Sequence, residues 1–580
     1  MAIAKLSAGK RQWHPLPTYH LKAPHGWLND PCAPGFDPAT GTYHLFYQWN
    51  PKSCDWEDIC WGQFTSKDGL HWEANSTGPV LEPSKSYDDK GIFTGCMHPT
   101  GPRGEKCQLT LIYSSITNLP IHWTVPYQRN CAGLAIAISE NAGRTWKKSP
   151  LNPILKGEPE GLRATGFRDP YLAEWGALDE KRGATEKQLY GFVSGGIVDK
   201  GPNVFVYAVS PHDLTRWTYI GPLVDIPVGF TRPGHWTGDF GVNWECVNFL
   251  GLDSGADTCP VLLMGTEGGY QRGYKEGGEV ANETWTLWMA GSLQTTQQGP
   301  ALDYEFGGIL DHGSLYAPNS YRHPDSRAWI VWGWIKEEEL TLSRREAKGW
   351  TGYLSLPREV FMQRLHNVRR ALKTPLEAIP SIRLLTERPE AGTRGVETLG
   401  IRPLLDLKRL RQGKPSIWLG VEALNQPYQI ATPASPNWEL EAFIKIHPAH
   451  ERIGFQVRHN EDRSNMTSIY FSPQDEEIVV DKTLSNDLKD IQKGRIGGSF
   501  TLFVQEKDGA ECLESLHLRI FSDGDVIEVF ANDRFALSTT VYSDAINCLG
   551  ISCFAEGQDS SASGFETVML WEGLASVYAK

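Results

Sequence analysis

Three carboxylic acids recur along the chain at nearly equal intervals. Asp30 lies in "WLNDPCAP", Asp169 in "FRDP" and Glu245 in "NWECVNF". Thr94 in "FTGC" and Tyr316 in "LYAPNS" complete the series, so positions 30, 94, 169, 245 and 316 are separated by 64, 75, 76 and 71 residues. Each position also has an ordinary explanation. Asn29 and Pro31 make a turn around Asp30, because Asn and Asp bond their own nearby backbone and Pro fixes the chain direction. Arg168 offers Asp169 a local ion pair, and Pro170 offers it a turn. Glu245 stands in an otherwise apolar strand. A carboxylate there is either paired or functional, since an unpaired buried charge is costly. Taken together at one period, the acids point to chemistry. Brought to one axis lined with Trp and Tyr, three carboxyls can do acid, base and nucleophile work while aromatic faces hold a sugar ring.

Elements with the right spacing are present to position them. The segments "SKDGLHW" (66–72), "SENAGRTW" (139–146) and "SPHDLTRW" (210–217) each follow a strand-like run and carry Asp, Asn or Gly where the chain turns. Each then places a Trp on the returning strand, which is a hairpin pattern. A period near 70 residues, with several strands per unit and no helical periodicity, predicts propeller blades, whose innermost strands converge on a central axis. Five such units fit before residue 365. The stretch 366–414, which opens within "EVFMQRLHNVRRALKTPLEAI", reads as a linker with a short helix. From 415 to 580, alternating strands such as "WELEAFIKI" and "VIEVFAND" predict a β-sandwich. The expected fold is therefore all-β, a five-bladed propeller (1–365) followed by a sandwich.

Composition narrows the partners. The chain has 580 residues, 40% of them hydrophobic, which is too many for one ordinary core. Its 58 Gly and 37 Pro are scattered, as short strands joined by turns require. The formal charge of −13, without a Lys/Arg-rich run, argues against nucleic acid and for a neutral small molecule or sugar. No apolar run is long enough to span a bilayer. The start "MAIAKLSAGKRQWHPLP" lacks the continuous apolar core of a signal peptide, so the chain as written is expected in the cytosol, or secreted if a leader was removed. Its 11 cysteines, an odd number, include no C-x-x-C pair, and no H-E-x-x-H occurs, so neither a metal nor another cofactor is expected. N-x-S/T sequons begin at Asn75, Asn282 and Asn465 and matter only in a secreted chain. The sandwich could stabilise the propeller, rim the pocket or contribute to a homodimer.

In combination and order, "WLNDP", "FYQWNP", "WEDICWG", "FTG", "FRDP", "WEC" and "GWTGYLSLPRE" resemble glycoside hydrolase family 32, the group of invertases, β-fructofuranosidases, inulinases, fructan hydrolases and fructosyltransferases. The resemblance runs from about His20 to Arg358 and resumes at "DGDVIEVFANDR" (523–534). It implies a five-bladed propeller with a β-sandwich, and sucrose or fructo-oligosaccharides as substrates. It also implies roles. Asp30 matches the nucleophile, Glu245 the acid/base, and Asp169 the transition-state stabiliser that holds fructose hydroxyls together with Arg168. Asn29, Gln48, Trp56, Phe93 and Thr94 match positions around the fructosyl ring, with Tyr316 and Trp334 on looser patterns. Arg168 is expected to keep Asp169 charged, and Glu245 to start protonated. A retaining mechanism of this kind puts the nucleophile and acid/base carboxyls about 5–5.5 Å apart. Two departures stand out. "FTGC" replaces the usual "FSGS" and keeps a hydroxyl at Thr94. "WGQF" replaces "WGHA" and is expected to alter the pocket floor or the outer subsites. Two other readings remain open. One is a sialidase-type enzyme, since "SENAGRTW" resembles an Asp-box, although no arginine cluster is in register with the acids. The other is a non-catalytic sugar-binding protein on the same fold.

Overall fold

The computed structural model describes residues 15–75, 78–255, 257–268, 284–297, 299–388, 392–422, 426–447, 450–543, 547–557 and 564–579. The sequon at Asn282 and the first fourteen residues lie outside them. The described chain is nearly all strand, with short α-helices at Gly176–Arg182 and Leu342–Lys348 and brief 3-10 turns. Among the described residues no helix is long and apolar enough to cross a membrane.

Five sheets follow one another in chain order. Their first strands are β1 (Gly26–Asp37), β2 (Gly91–His98), β3 (Ala164–Glu174), β4 (Asn243–Ser254) and β5 (Leu315–Arg322). Each is followed by antiparallel partners, so each sheet is a meander. The first strands also touch one another in sequence, β1 on β2, β2 on β3, β3 on β4 and β4 on β5, and β5 packs back on β1. The chain closes this ring with a short parallel pairing, Gly26 against Trp350 and Trp27 against Thr351. The strands are apolar on both faces because each sheet is covered on both sides by its neighbours. In β4, for example, Val247, Phe249 and Leu250 are all buried.

The repeated hairpin segments form turns between the third and fourth strands of the first three sheets. In each, a short polar side chain caps the turn. Asp68 accepts the backbone N–H groups of Leu70 and His71, Asn141 that of Thr145, and Asp213 that of Thr215. The Trp146 and Trp217 indoles donate back into their own turns. The turn "SENAGRTW" is thus a structural device. Gln63 of "WGQF" also proves structural. It is buried, pairs with His44, and donates to the Gly143 carbonyl in the next sheet's hairpin, away from the carboxylates.

The stretch read from sequence as a linker carries strands. β6 (Arg358–Ala371) runs through residue 365, and Arg383–Arg388 and Thr393–Pro403 extend the same fifth sheet. Among the described residues the helix expected there is confined to 3-10 turns at Leu376–Ala378 and Leu405–Leu410. Of the arginines in β6, Arg358 reaches the buried Asp311 and Glu528 and Arg364 the buried Glu397, while Arg369 pairs with the half-buried Glu506. Two strands from later in the chain, Phe503–Lys507 and Ala510–Leu513, join this sheet as well.

The remaining strands form two six-stranded antiparallel sheets that share one core, including Leu440, Phe455, Ile469, Leu518, Val529 and Phe565. The sandwich is tied to the first five sheets by buried charge. Arg358 donates to Asp311 at 2.7 Å and to Glu528 of the sandwich at 2.7 Å. His20 bridges Asp523 and Glu528. Burial alone would lower its pKa, but these two acids raise it to about 9. Each buried ion here has partners on both sides, which such burial demands.

Candidate active site

The periodic residues all sit at the same irregularity. Each first strand slips register against its second strand, with a β-bulge at that point. The slip lies between Leu28 and Pro31 in β1, Phe93 and Gly95 in β2, and Arg168 and Tyr171 in β3. It lies between Glu245 and Asn248 in β4, and between Tyr316 and Asn319 in β5. A bulge adds a residue, bends the strand and re-aims a side chain. Pro suits such a position because it has no N–H to give the ladder, and Pro31, Pro170 and Pro318 all occupy one. Asp169, Cys246 and Ala317 take φ of 59°, 50° and 51° there, a conformation costly for non-glycine residues and concentrated at functional sites. The turn around Asp30 and the placement of its carboxylate are therefore one feature: the bulge points the carboxylate at the ring's centre.

Asp30 is held by several donors. Asn29 Nδ2 reaches Oδ1 at 3.1 Å, and Gln48 Nε2 reaches Oδ2 at 3.1 Å. The Thr94 hydroxyl donates to Oδ2 at 2.5 Å, so the "FTGC" variation preserves this contact. Burial raises the Asp30 pKa to about 6. The Thr94 bond opposes that rise, and the nearby Glu245 charge adds to it. The Cys246 thiol lies 3.5 Å from Asp30 Oδ2 and 3.6 Å from Asp169 Oδ2. One buried thiol thus joins two of the three acids.

Asp169 is almost fully buried. Its own N–H donates to Ser114 Oγ at 2.7 Å, and its Oδ2 accepts the Cys246 N–H at 3.0 Å. The expectation that Arg168 keeps it charged does not hold. Arg168 Nε stands 4.0 Å from Asp169 and spends its short bonds elsewhere. Burial, together with the charges of Glu245 and Asp30, outweighs the guanidinium and raises Asp169 to about 8.

Arg168 instead serves Glu245, reaching Oε1 from Nε at 3.0 Å and from Nη2 at 2.7 Å. The Tyr316 hydroxyl donates to the other oxygen, Oε2, at 2.6 Å. It can do so because position 265 is Gly; a Cβ there would stand 2.8 Å from the Tyr316 ring. The Glu245 side chain is 22% exposed.

The aromatic residues divide into two layers. Trp56 is 41% exposed and stands edge-on to Phe93, 5.6 Å between ring centres. Of the two rings Trp56 is the exposed one and Phe93 the buried one. Trp334 is buried behind Trp27, which donates to Asn29 Oδ1 at 3.0 Å. Trp334 thus supports Asn29 from behind. All eleven residues singled out in the sequence gather in this one region. Sequence reasoning passed over Ser114, Asn243, Cys246 and Glu267. Glu267 had a readable signal, a lone acid ending the apolar run "PVLLMGTE" and directly opposite Asn243 in the hairpin. Among the described residues no cluster of ligands suits a metal ion.

The chain matches two family models, the glycosyl hydrolases family 32 N-terminal domain over residues 20–374 and the family 32 C-terminal domain over 406–572. It is similar to the β-fructofuranosidase insoluble isoenzyme 2 of Oryza sativa, 28% identical over 401 residues, which cover 66% of this chain and 60% of the relative. The chain thus spans less than two thirds of that relative's length. A β-fructofuranosidase structure from Aspergillus kawachii superposes with a TM-score of 0.88 at 27% identity, covering 99% of this chain and 96% of that one. A fructosyltransferase structure from A. japonicus superposes with a TM-score of 0.87 at 25% identity, covering 98% and 97%. With family models spanning both the ring of sheets and the sandwich, the protein belongs to glycosyl hydrolases family 32.

Proposed function

We propose that the protein is a retaining β-fructofuranosidase that cleaves terminal β-fructofuranosyl units from sucrose and fructo-oligosaccharides, and that its five ring-forming sheets are the blades of a five-bladed propeller. The observation that carries this reading is the pairing of two differently held carboxyls in one buried site. Asp30 is oriented by Asn29, Gln48 and Thr94, and Glu245 by Arg168 and Tyr316.

Their environments suit different tasks. Asp30, ionised above about pH 6, attacks the anomeric carbon of the fructosyl unit while Glu245 protonates the departing oxygen. The bond to the leaving sugar breaks as the bond to Asp30 Oδ forms. Arg168 and Tyr316 then hold the Glu245 carboxylate that results. In the second step Glu245 takes a proton from the attacking hydroxyl, which displaces Asp30 from the fructosyl carbon. Asp169 grips fructose hydroxyls beside the reacting centre, and Trp56 and Phe93 offer the ring an apolar face.

The attacking hydroxyl decides the product. Water gives hydrolysis, and a sugar hydroxyl gives fructosyl transfer. The likeness to the A. japonicus fructosyltransferase keeps transfer as the second reading. The test is to incubate the protein with sucrose at low and high concentration and quantify free glucose and fructose. Equal amounts at both concentrations identify a hydrolase. Glucose in excess of fructose, growing with sucrose, identifies transfer. Neither product removes sucrose as donor and refutes the reading.

A further inference from the structure

The strand that carries Asp30 is held by a buried pair of charges that the mechanism above leaves without a task. β1 stays in register with its neighbour as far as Leu28 and then enters the bulge. Gly352 stands at that point. Its φ is +87°, and a Cβ built on it would meet the Leu28 carbonyl oxygen at 2.1 Å and Trp334 Nε1 at 2.9 Å. Glycine alone permits so close an approach. The two residues before it, Trp350 and Thr351, pair with Gly26 and Trp27. A shift of Gly352 is therefore felt at Leu28, and Asn29 and Asp30 follow directly in the chain.

A side chain binds the Gly352 amide. Its N–H donates to Glu337 Oε2 at 2.7 Å. The other oxygen, Oε1, accepts Lys348 Nζ at 2.5 Å and the Tyr542 hydroxyl at 2.9 Å. Lys348 ends the helix Leu342–Lys348 and also reaches the Tyr353 hydroxyl at 2.8 Å and Asp525 at 3.3 Å. Tyr542 and Asp525 belong to the sandwich. The Glu337 and Lys348 side chains are fully buried. A buried ion pair is often no more stable than apolar residues of the same volume, so stability does not account for this one. What it supplies, and an apolar pair could not, is an acceptor fixed at the Gly352 N–H.

We propose that Glu337 is a positioning residue: anchored by Lys348 and by Tyr542 of the sandwich, it seats Gly352 against Leu28 and so fixes the bulge that aims Asp30 at the fructosyl carbon. The proposal rests on the reading of Asp30 as nucleophile. Through this chain of contacts the sandwich takes part in catalysis without touching the substrate. A reacting group displaced by about 1 Å costs about 100-fold in rate, so a loosened Gly352 is read in kcat. Asp169, Trp56 and Phe93, which hold the fructosyl unit, lie outside the chain of contacts, so KM changes less than kcat.

The test measures kcat and KM on sucrose and on an aryl β-fructofuranoside, whose leaving group needs no proton, together with the denaturation midpoint. The double variant Glu337→Leu/Lys348→Met removes both charges, keeps apolar side chains in their place and leaves the Gly352 N–H without its acceptor. It is expected to keep a midpoint near the native one and to lose about 10-fold or more in kcat on both substrates, because attack by Asp30 is impaired whichever group leaves. Tyr542→Phe loosens Glu337 without touching either charge and is expected to show the same loss in milder form. Arg358→Met breaks a different buried contact between propeller and sandwich. It is expected to lower the midpoint while kcat of the folded protein stays native. Native kcat in the double variant overturns the proposal, as does a kcat that falls equally in Arg358→Met. Where the double variant does not fold, native kcat in Tyr542→Phe overturns it. Failure of the underlying reading is detected separately with Asp30→Asn, which is expected to abolish turnover of both substrates. Turnover retained by that variant rejects Asp30 as nucleophile whatever Glu337 does.

Discussion

Replacing Asp169 by Asn is expected to stabilise the protein while disabling it, and the gain should depend on pH in a calculable way. Burial, Glu245 and Asp30 together raise the Asp169 carboxyl from an ordinary 3.8 to about 8 in the folded protein, against the opposing Arg168. In the unfolded chain it returns to its ordinary value. Between those values the folded state binds more protons than the unfolded state, so stability falls as pH rises. With about 1.4 kcal/mol per pKa unit, the cost grows from under about 1 kcal/mol at pH 4 to about 4 kcal/mol at pH 7. Asn carries no charge to bury, and its oxygen can still accept the Cys246 N–H that Asp169 takes at 3.0 Å. Spread over a chain of this length, the difference corresponds to a Tm higher by about 3 °C at pH 7 and nearly unchanged at pH 4. Thermal unfolding of both proteins across pH 4–8, followed by calorimetry, measures it. A Tm difference that is the same at both ends, or a variant less stable than the native protein at pH 8, would refute the reasoning.

Three further outcomes follow from the same geometry. Tyr316→Phe removes the hydroxyl that donates to Glu245 at 2.6 Å; a lost bond to a charged group costs about 1.5–3 kcal/mol, so kcat/KM on sucrose should fall roughly 10- to 100-fold with the fold intact by circular dichroism. Asp30 must be ionised to attack, and its pKa is raised to about 6 by burial against the Thr94 bond. Activity should therefore fall as pH drops through about 6, and Thr94→Val, which deletes that bond, should move this acid limb upward in a pH–rate profile. Arg358→Met strands the buried Asp311 and Glu528 carboxylates between propeller and sandwich; breaking such a pair typically costs about 3–5 kcal/mol, to be read as a lowered denaturation midpoint with no change in the pH profile of the surviving activity.

The gathering of the three acids was legible because it is written in a period. Recurring acids at blade spacing, and proline beside them, already mark the point where each first strand bulges toward the axis. The hairpins were legible because Asp68, Asn141 and Asp213 cap their turns locally, within a few residues of sequence. Residues whose role depends on pairing across strands were harder. Arg168 precedes Asp169, and adjacency suggested that the two form a pair. The bulge turns them apart, and the arginine bonds Glu245 and Glu267 at 2.7 Å each. Gln63 drew attention as a departure within a motif, but its side chain points to the next blade's turn rather than the pocket. In β6, basic residues every few positions resemble a helix or linker. The strand is set instead by long-range pairing with Thr393–Pro403 and with Phe503–Lys507, partners that no local window contains.

The central claim is that Asp30 forms the covalent bond to fructose. The most direct measurement uses Glu245→Gln with an aryl β-fructofuranoside. This leaving group departs without an acid, and the second step lacks its base, so the intermediate should accumulate. Mass spectrometry of the quenched, digested protein should find one added fructosyl residue on the peptide that contains Asp30, absent when Asp30 is also replaced by Asn. A fructosyl group on a different residue, or release of the aryl group with no adduct at any time point, would contradict the account.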